Sequence, residues 1–147
     1  MDKIDREIIG ALLENGRRSA QDIADHVGLS TSATRDRLRR LERDGFIVGY
    51  TAVLDTAAMG LRVQALVEVE MTPGADPLVF EAGLRATPAV VEALHATGDC
   101  DYVVRLHCRD TADLHQALRA LKADLGAAHT RTRVILEESV RAHQRLP

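Results

Sequence analysis

Between residues 15 and 45 the chain carries its helix stops and starts so close together that few arrangements remain open. Asn15-Gly16 ends one segment. Ser19, with Asp22 three residues on, is close to a capping box, and Gly28 stands where a left-handed stop residue is wanted. Two residues later Ser30 caps a third helix, which Gly45 closes. Ahead of the first stop, Ile4, Ile8, Ile9, Leu12 and Leu13 recur at helical spacing, which predicts a helix over residues 2–14. Ala20, Ile23, Ala24 and Val27 form one face of the second helix, and the third is expected to run to about Asp44. Two short helices joined by a turn with glycine predict a helix-turn-helix over about residues 20–39.

The third helix is basic. Thr31 to Arg43 carries Arg35, Arg37, Arg39, Arg40 and Arg43 against Asp36 and Glu42, whereas the 147-residue chain has a net charge of −3. Affinity for phosphates must therefore come from local arrangement rather than from the overall field. At about 100° per residue, Thr34, Leu38 and Leu41 fall on an inner side. Ser32, Ala33, Asp36, Arg39, Arg40 and Arg43 fall opposite, with Arg35 and Arg37 on the flanks. Short side chains near the helix start permit close approach to base edges, and later arginines reach phosphates or guanines. Duplex DNA is the expected partner, with Ser30, Thr31, Ser32, Arg35, Asp36, Arg39, Arg40 and Arg43 as contact residues. The competing reading is a solvated surface helix with an Asp36–Arg40 ion pair.

After Gly45, "FIVGYTAVLD" is rich in β-branched and aromatic residues and is expected to be extended, as a wing or as a strand leading onward. Residues 1–55 are read as one domain, 56–61 as a linker and 62–147 as a second domain. There, Val63, Ala65, Val67, Val69 and Met71 alternate with Gln64, Leu66, Glu68 and Glu70. A helix from Pro77 follows, with Leu78, Val79, Phe80 and Leu84 inward, and Pro88 ends it. "AVVEALHATG" and "YVVRLHC" flank a "GDCD" turn as a hairpin. A helix capped by Asp110 places Leu114, Ala117, Leu118, Leu121 and Leu125 inward, and "HTRTRVILEES" is the last strand. The order β-α-β-β-α-β predicts a ferredoxin-like sheet with both helices on one face, hence an α+β chain. The open face is expected to carry apolar groups and to pair with a second copy.

Cys100 and Cys108 have no metal or redox spacing, and no apolar run approaches the roughly 18 residues of a membrane span. A cytoplasmic protein without membrane, metal or cofactor is expected. Asp99, Asp101 and His95 cluster in sequence and could do acid–base work, but no nucleophile motif or phosphate loop accompanies them. Aspartates in such a turn are used more commonly for backbone hydrogen bonds, so no catalytic residue is assigned. An effector-independent, DNA-organising protein is a further alternative.

The stretch "GLSTSATRDRLRRLERDGFIVGYTAVLD", residues 28–55, resembles the DNA-binding domain of the Lrp/AsnC (feast/famine) family of transcriptional regulators. "DKIDREIIGALLENGRRS" is similar to that family's first helix, and "TGDCDYVVRL", 97–106, to its effector loop. The resemblance implies a regulator that binds DNA as dimers assembling further, an octamer being common. It also implies a small effector, an amino acid, held between dimers near Gly98, Asp99, Cys100, Asp101 and Tyr102. Thr130 and Thr132 on the last strand would add hydroxyls there.

Overall fold

The computed structural model describes residues 1–137, which form two compact units, Met1–Val53 and a second one beginning at Leu54. The first holds α1 (Lys3–Glu14), α2 (Ala20–Val27) and α3 (Thr31–Arg43). Each begins on the cap its sequence supplies. Asp2 and Asp5 form a full capping box on α1, as do Ser19 and Asp22 on α2, and the Ser30 hydroxyl accepts from the Ala33 N–H at 3.2 Å. Gly28 ends α2 at φ 70° and ψ 34°, a left-handed conformation that a Cβ would penalise. Ile8, Ile23 and Leu41 are buried at the centre, with Ile4, Ile9, Leu12, Val27, Leu38 and Ile47 packed around them. Burying each central side chain stabilises the unit by about 1.5–3 kcal/mol.

The extended stretch after α3 departs from expectation, because no strand forms between α3 and residue 62. The Phe46 and Ile47 N–H groups both donate to the Leu41 carbonyl, at 2.9 and 3.1 Å, and close the helix. Beyond them the backbone has no ladder partner within the described chain, and Val48 is 92 % exposed. The β-branched composition there does not make a paired strand.

The second unit runs β1 (Val63–Met71), α4 (Pro77–Ala86), β2 (Val90–His95), β3 (Tyr102–Cys108), α5 (Thr111–Ala123) and β4 (Ala127–Ile135). The strands pair antiparallel in the order β2-β3-β1-β4, the ferredoxin-like arrangement. Ala65, Val67 and Val69 of β1 and Tyr102, Val104, Leu106 and Cys108 of β3 face the helices and meet Phe80, Leu84, Leu114, Ala117 and Leu121. Leu78 and Val79, expected inward, are 73 % and 62 % exposed. The i, i+4 pair Phe80 and Leu84 sets the buried stripe, and positions 78 and 79 lie about 200° and 100° away from residue 80. The last strand begins at Ala127 and ends at Ile135; its expected end, like the remainder of the second domain to 147, lies outside the described residues.

The open face of the sheet carries apolar groups, as expected, but interleaves them with ion pairs. Register places Glu68 opposite Arg131, and Glu68 pairs with both Arg131, at 3.4 Å, and Arg133. Arg105 pairs with Glu92 at 3.4 Å. Leu66, Leu94 and Val103 lie among these charges, so the face is an ion-paired mosaic.

Candidate functional site

On α3 the five arginines fall into two sets. Arg35, Arg39 and Arg43 are exposed, and Arg39 and Arg43 pair, among the described residues, with acids of α3 or its C-cap. Arg39 lies 3.5 Å from Asp36 and Arg43 lies 3.1 Å from Asp44. The Asp36–Arg40 pair of the competing reading does not form. Instead Arg40 turns toward α1, where its Nη2 donates to both carboxylate oxygens of Asp5 at 2.9 Å. Arg37 also turns inward, donating from Nη1 to Asp5 at 2.8 Å and to Asp2 at 2.6 Å. Asp5 is 1 % exposed, so its charge sits out of water and is held by two guanidinium groups and the Asp2 N–H. Burial pushes its carboxyl pKa up, but those hydrogen bonds and the Arg40 charge outweigh burial and leave it lowered. The Arg37 hydrogen bond, then that from the Asp5 N–H, draws Asp2 down to about 2.

The front of α3 is the part expected from the sequence to approach base edges. Ser30 and Ser32 are exposed there, and their hydroxyls lie 3.2 Å apart. The Thr31 hydroxyl donates to Gln21, tying α3 to α2. Asp36 is exposed, with 76 % of its side chain open. The acidic partners Asp2 and Asp5 were missed in the sequence. Their spacing marks a cap, but nothing local shows that arginines 32 to 35 positions later would reach them.

In the second unit the residues of the 97–102 turn go to different places. Asp99 and Cys100, with Thr130, line a recess of about 250 Å³ whose other walls are Glu68, Glu70, His129 and Arg131. Asp101 is exposed, and its carboxylate accepts the Met71 N–H at 2.7 Å while its own N–H donates to the Val69 carbonyl at 2.9 Å. Gly98, at φ 124°, shapes the turn. Tyr102 is buried among the helix-side core, donates to Glu81 at 3.1 Å and stacks on His95 with centroids 4.6 Å apart. Burial, then the Glu81 hydrogen bond, raises its pKa. Tyr102 and His95 line a separate recess of about 360 Å³ beside α4. Thr132 stands opposite Val67, on the helix side of the sheet and away from Glu68 and Arg131. Glu68, Glu70, His129 and Arg131 were not singled out from sequence. Strand alternation could have shown their shared face, but the register that brings them together could not be read.

The three groups considered for acid–base chemistry do not converge. His95 and Asp99 line different recesses, and Asp101 is occupied by the backbone. Among the described residues no group of three or more His, Cys, Asp and Glu could hold a metal ion, and no helix is long and apolar enough to cross a membrane.

Comparison with known proteins agrees with both units. The family model for winged helix-turn-helix DNA-binding domains matches residues 1–48, and that for the Lrp/AsnC ligand binding domain matches residues 64–144. The chain is 36 % identical over 142 residues to the leucine-responsive regulatory protein of Salmonella typhimurium, covering 94 % of this chain and 86 % of that one. It is 34 % identical over 140 residues to the HTH-type transcriptional regulator AldR of Mycolicibacterium smegmatis, covering 93 % and 82 %. Among solved structures, a transcriptional regulator of Neisseria meningitidis in complex with L-Met superposes with a TM-score of 0.92 at 29 % identity, covering 100 % of this chain and 96 % of that one. The leucine response regulatory protein of Mycobacterium tuberculosis gives 0.86 at 28 % identity over 100 % of both chains. With a helix-turn-helix unit, a ferredoxin-like unit matching the ligand-binding family, and relatives that are regulators over nearly their full length, the chain belongs to the Lrp/AsnC family of transcriptional regulators.

Proposed function

We propose that α3 enters the major groove of duplex DNA and that a free amino acid, held in the recess beside Asp99 and Cys100, alters how copies of the chain assemble on it. The observation that carries the first half is the division of the arginines. Leu41 and Thr34 anchor the inner stripe of α3, while Arg35, Arg39 and Arg43 remain exposed. Near the helix start the short side chains of Ser30, Ser32 and Asp36 project outward beside Arg35, which leaves room for base edges. An Asp36 carboxylate there is suited to accept from a cytosine amino group.

The second half rests on charge placement. Arg131 supplies a cation for an α-carboxylate, and Glu70 and Asp99 supply anions for an α-ammonium. Glu68 already neutralises Arg131 and Arg133 in part, and the hydrogen bond from Arg133 holds its carboxyl below the usual range. A recess of about 250 Å³ suits a small or medium side chain. The neighbour solved with L-Met supports the ligand class. For a ligand to change assembly it must bind the alternative states unequally. A dimer that assembles further, up to an octamer, fits the two-half-site logic of helix-turn-helix binding.

The test is a thermal-shift and light-scattering screen of the full chain against the twenty amino acids. At least one should raise the apparent stability and shift the size distribution. If none does either, the regulator acts without an amino-acid effector.

A further inference from the structure

Of the five arginines on α3, Arg40 is the one that, among the described residues, sets a single nitrogen across both oxygens of one carboxylate. All of its hydrogen bonds among the described residues run through one nitrogen, Nη2, which bridges Asp5 Oδ1 and Oδ2 at 2.9 Å each. Arg37, one turn earlier, also bonds through a single nitrogen, Nη1, but spreads it over two carboxylates. It ties both Asp2 and Asp5 and keeps only 25 % of its side chain exposed, against 44 % for Arg40. A guanidinium carries five N–H donors in a rigid plane. With Nη2 fixed on the buried carboxylate, the Nη1 and Nε donors of Arg40 point along directions set by the protein core. Asp36 and Arg43 sit four residues before and three residues after Arg40, which places all three on one helix face.

We propose that Asp5 is a positioning residue for DNA binding: its buried carboxylate clamps Arg40 so that the free edge of the guanidinium is presented, already ordered, to a DNA phosphate. The inference rests on the reading that α3 is the DNA-contacting helix. The carboxylate removes rotamer freedom from a long side chain before DNA arrives, so less is lost on binding. The plane of the guanidinium lets one face of its fork grip a carboxylate while the other grips a phosphate, which a lysine ammonium at a single point cannot reproduce. Arg37 does the structural share of the work by closing the remaining lone pairs of Asp5 and joining Asp2 to α3.

The experiment is fluorescence anisotropy of the full chain on a duplex operator fragment across a salt series, with circular dichroism to confirm folding at the assay temperature. Five variants are compared: Arg40→Ala, Arg40→Lys, Asp5→Asn, the double Asp5→Asn with Arg40→Ala, and Arg39→Ala with Arg43→Ala. Each lost phosphate contact lowers the log–log salt slope by about 0.9, or about 3-fold in affinity between 50 and 200 mM salt. Arg40→Ala, Arg40→Lys and Asp5→Asn should each lose about one such unit, and the double variant should lose no more than Arg40→Ala alone. Arg40→Lys and Arg40→Ala alter a half-exposed side chain and keep the test open should Asp5→Asn unfold. The proposal is overturned if Arg40→Lys keeps the parent slope and affinity, or if folded Asp5→Asn binds as tightly as the parent or more tightly. If instead the Arg39 and Arg43 pair also leaves the slope unchanged, α3 is not the DNA-contacting helix and the underlying reading fails.

Discussion

Replacing Leu41 by alanine should disable the first unit and leave the second intact. Leu41 is 1 % exposed and is one of three buried side chains at the centre of that unit. Buried Leu→Ala changes cost about 2–5 kcal/mol, the spread depending on how far the site collapses. A unit of about 50 residues has a total stability of roughly 3–8 kcal/mol, so the loss is a large fraction of the whole. Collapse is restricted here because Ile8 and Ile23 come from two other helices, each held by its own cap. Hydrogen exchange read peptide by peptide separates the units. Protection in α1, α2 and α3 should fall by about 30-fold or more, the equivalent of about 2 kcal/mol, and protection in β1 and β3 should not move. DNA affinity should fall with the folded fraction of the first unit. Equal loss of protection in both units, or unchanged protection in α3, would refute the picture of two separate cores.

The Asp2–Asp5–Arg37–Arg40 cluster makes the first unit acid-sensitive. Asp2 titrates at about 2 in the fold against 3.8 ordinarily, so its contribution is present above about pH 4 and is lost as pH falls toward 2. An acid titration followed by exchange in α1 should show this step, and Asp2→Asn should remove part of it; an identical profile in the variant would speak against the cluster. Gly28→Ala should destabilise the first unit by about 1 kcal/mol in urea unfolding, because φ is 70° at that position. Asp101→Ala should cost about 1 kcal/mol by stripping the Met71 N–H of its acceptor. Asp99→Ala should leave stability within about 0.5 kcal/mol while blunting the amino-acid response, and the reverse pattern would move the effector away from the Asp99 recess.

Local signals carried the element order. Asp and Ser caps, Gly28, the alternation of β1 and the 3.6-residue spacing of α5 each depend on neighbours within a few positions, and the structure follows them. What could not be read were contacts set by packing. Arg40 looked like a pure outward cation because the helix wheel has no knowledge of Asp5, which approaches from α1. Leu78 and Val79 looked internal because hydrophobicity was read without the helix phase that Phe80 fixes against the sheet. The 97–102 turn was legible as a turn, yet its side chains divide between two faces of the sheet, Asp99 to one recess and Tyr102 to another. Residues 46–54 show the opposite limit, since extended propensity does not specify a partner strand.

The most direct test of the account is the salt dependence of duplex DNA binding by the variant in which Arg35, Arg39 and Arg43 are all replaced by alanine. These three side chains are exposed on α3 and none belongs to the buried core, so the fold should survive. If they meet phosphates, the log–log slope should fall by about 2.7 and affinity should drop by more than 10-fold at 100 mM salt. A folded triple variant that keeps the parent's slope and affinity would contradict the assignment of α3 as the DNA-binding surface.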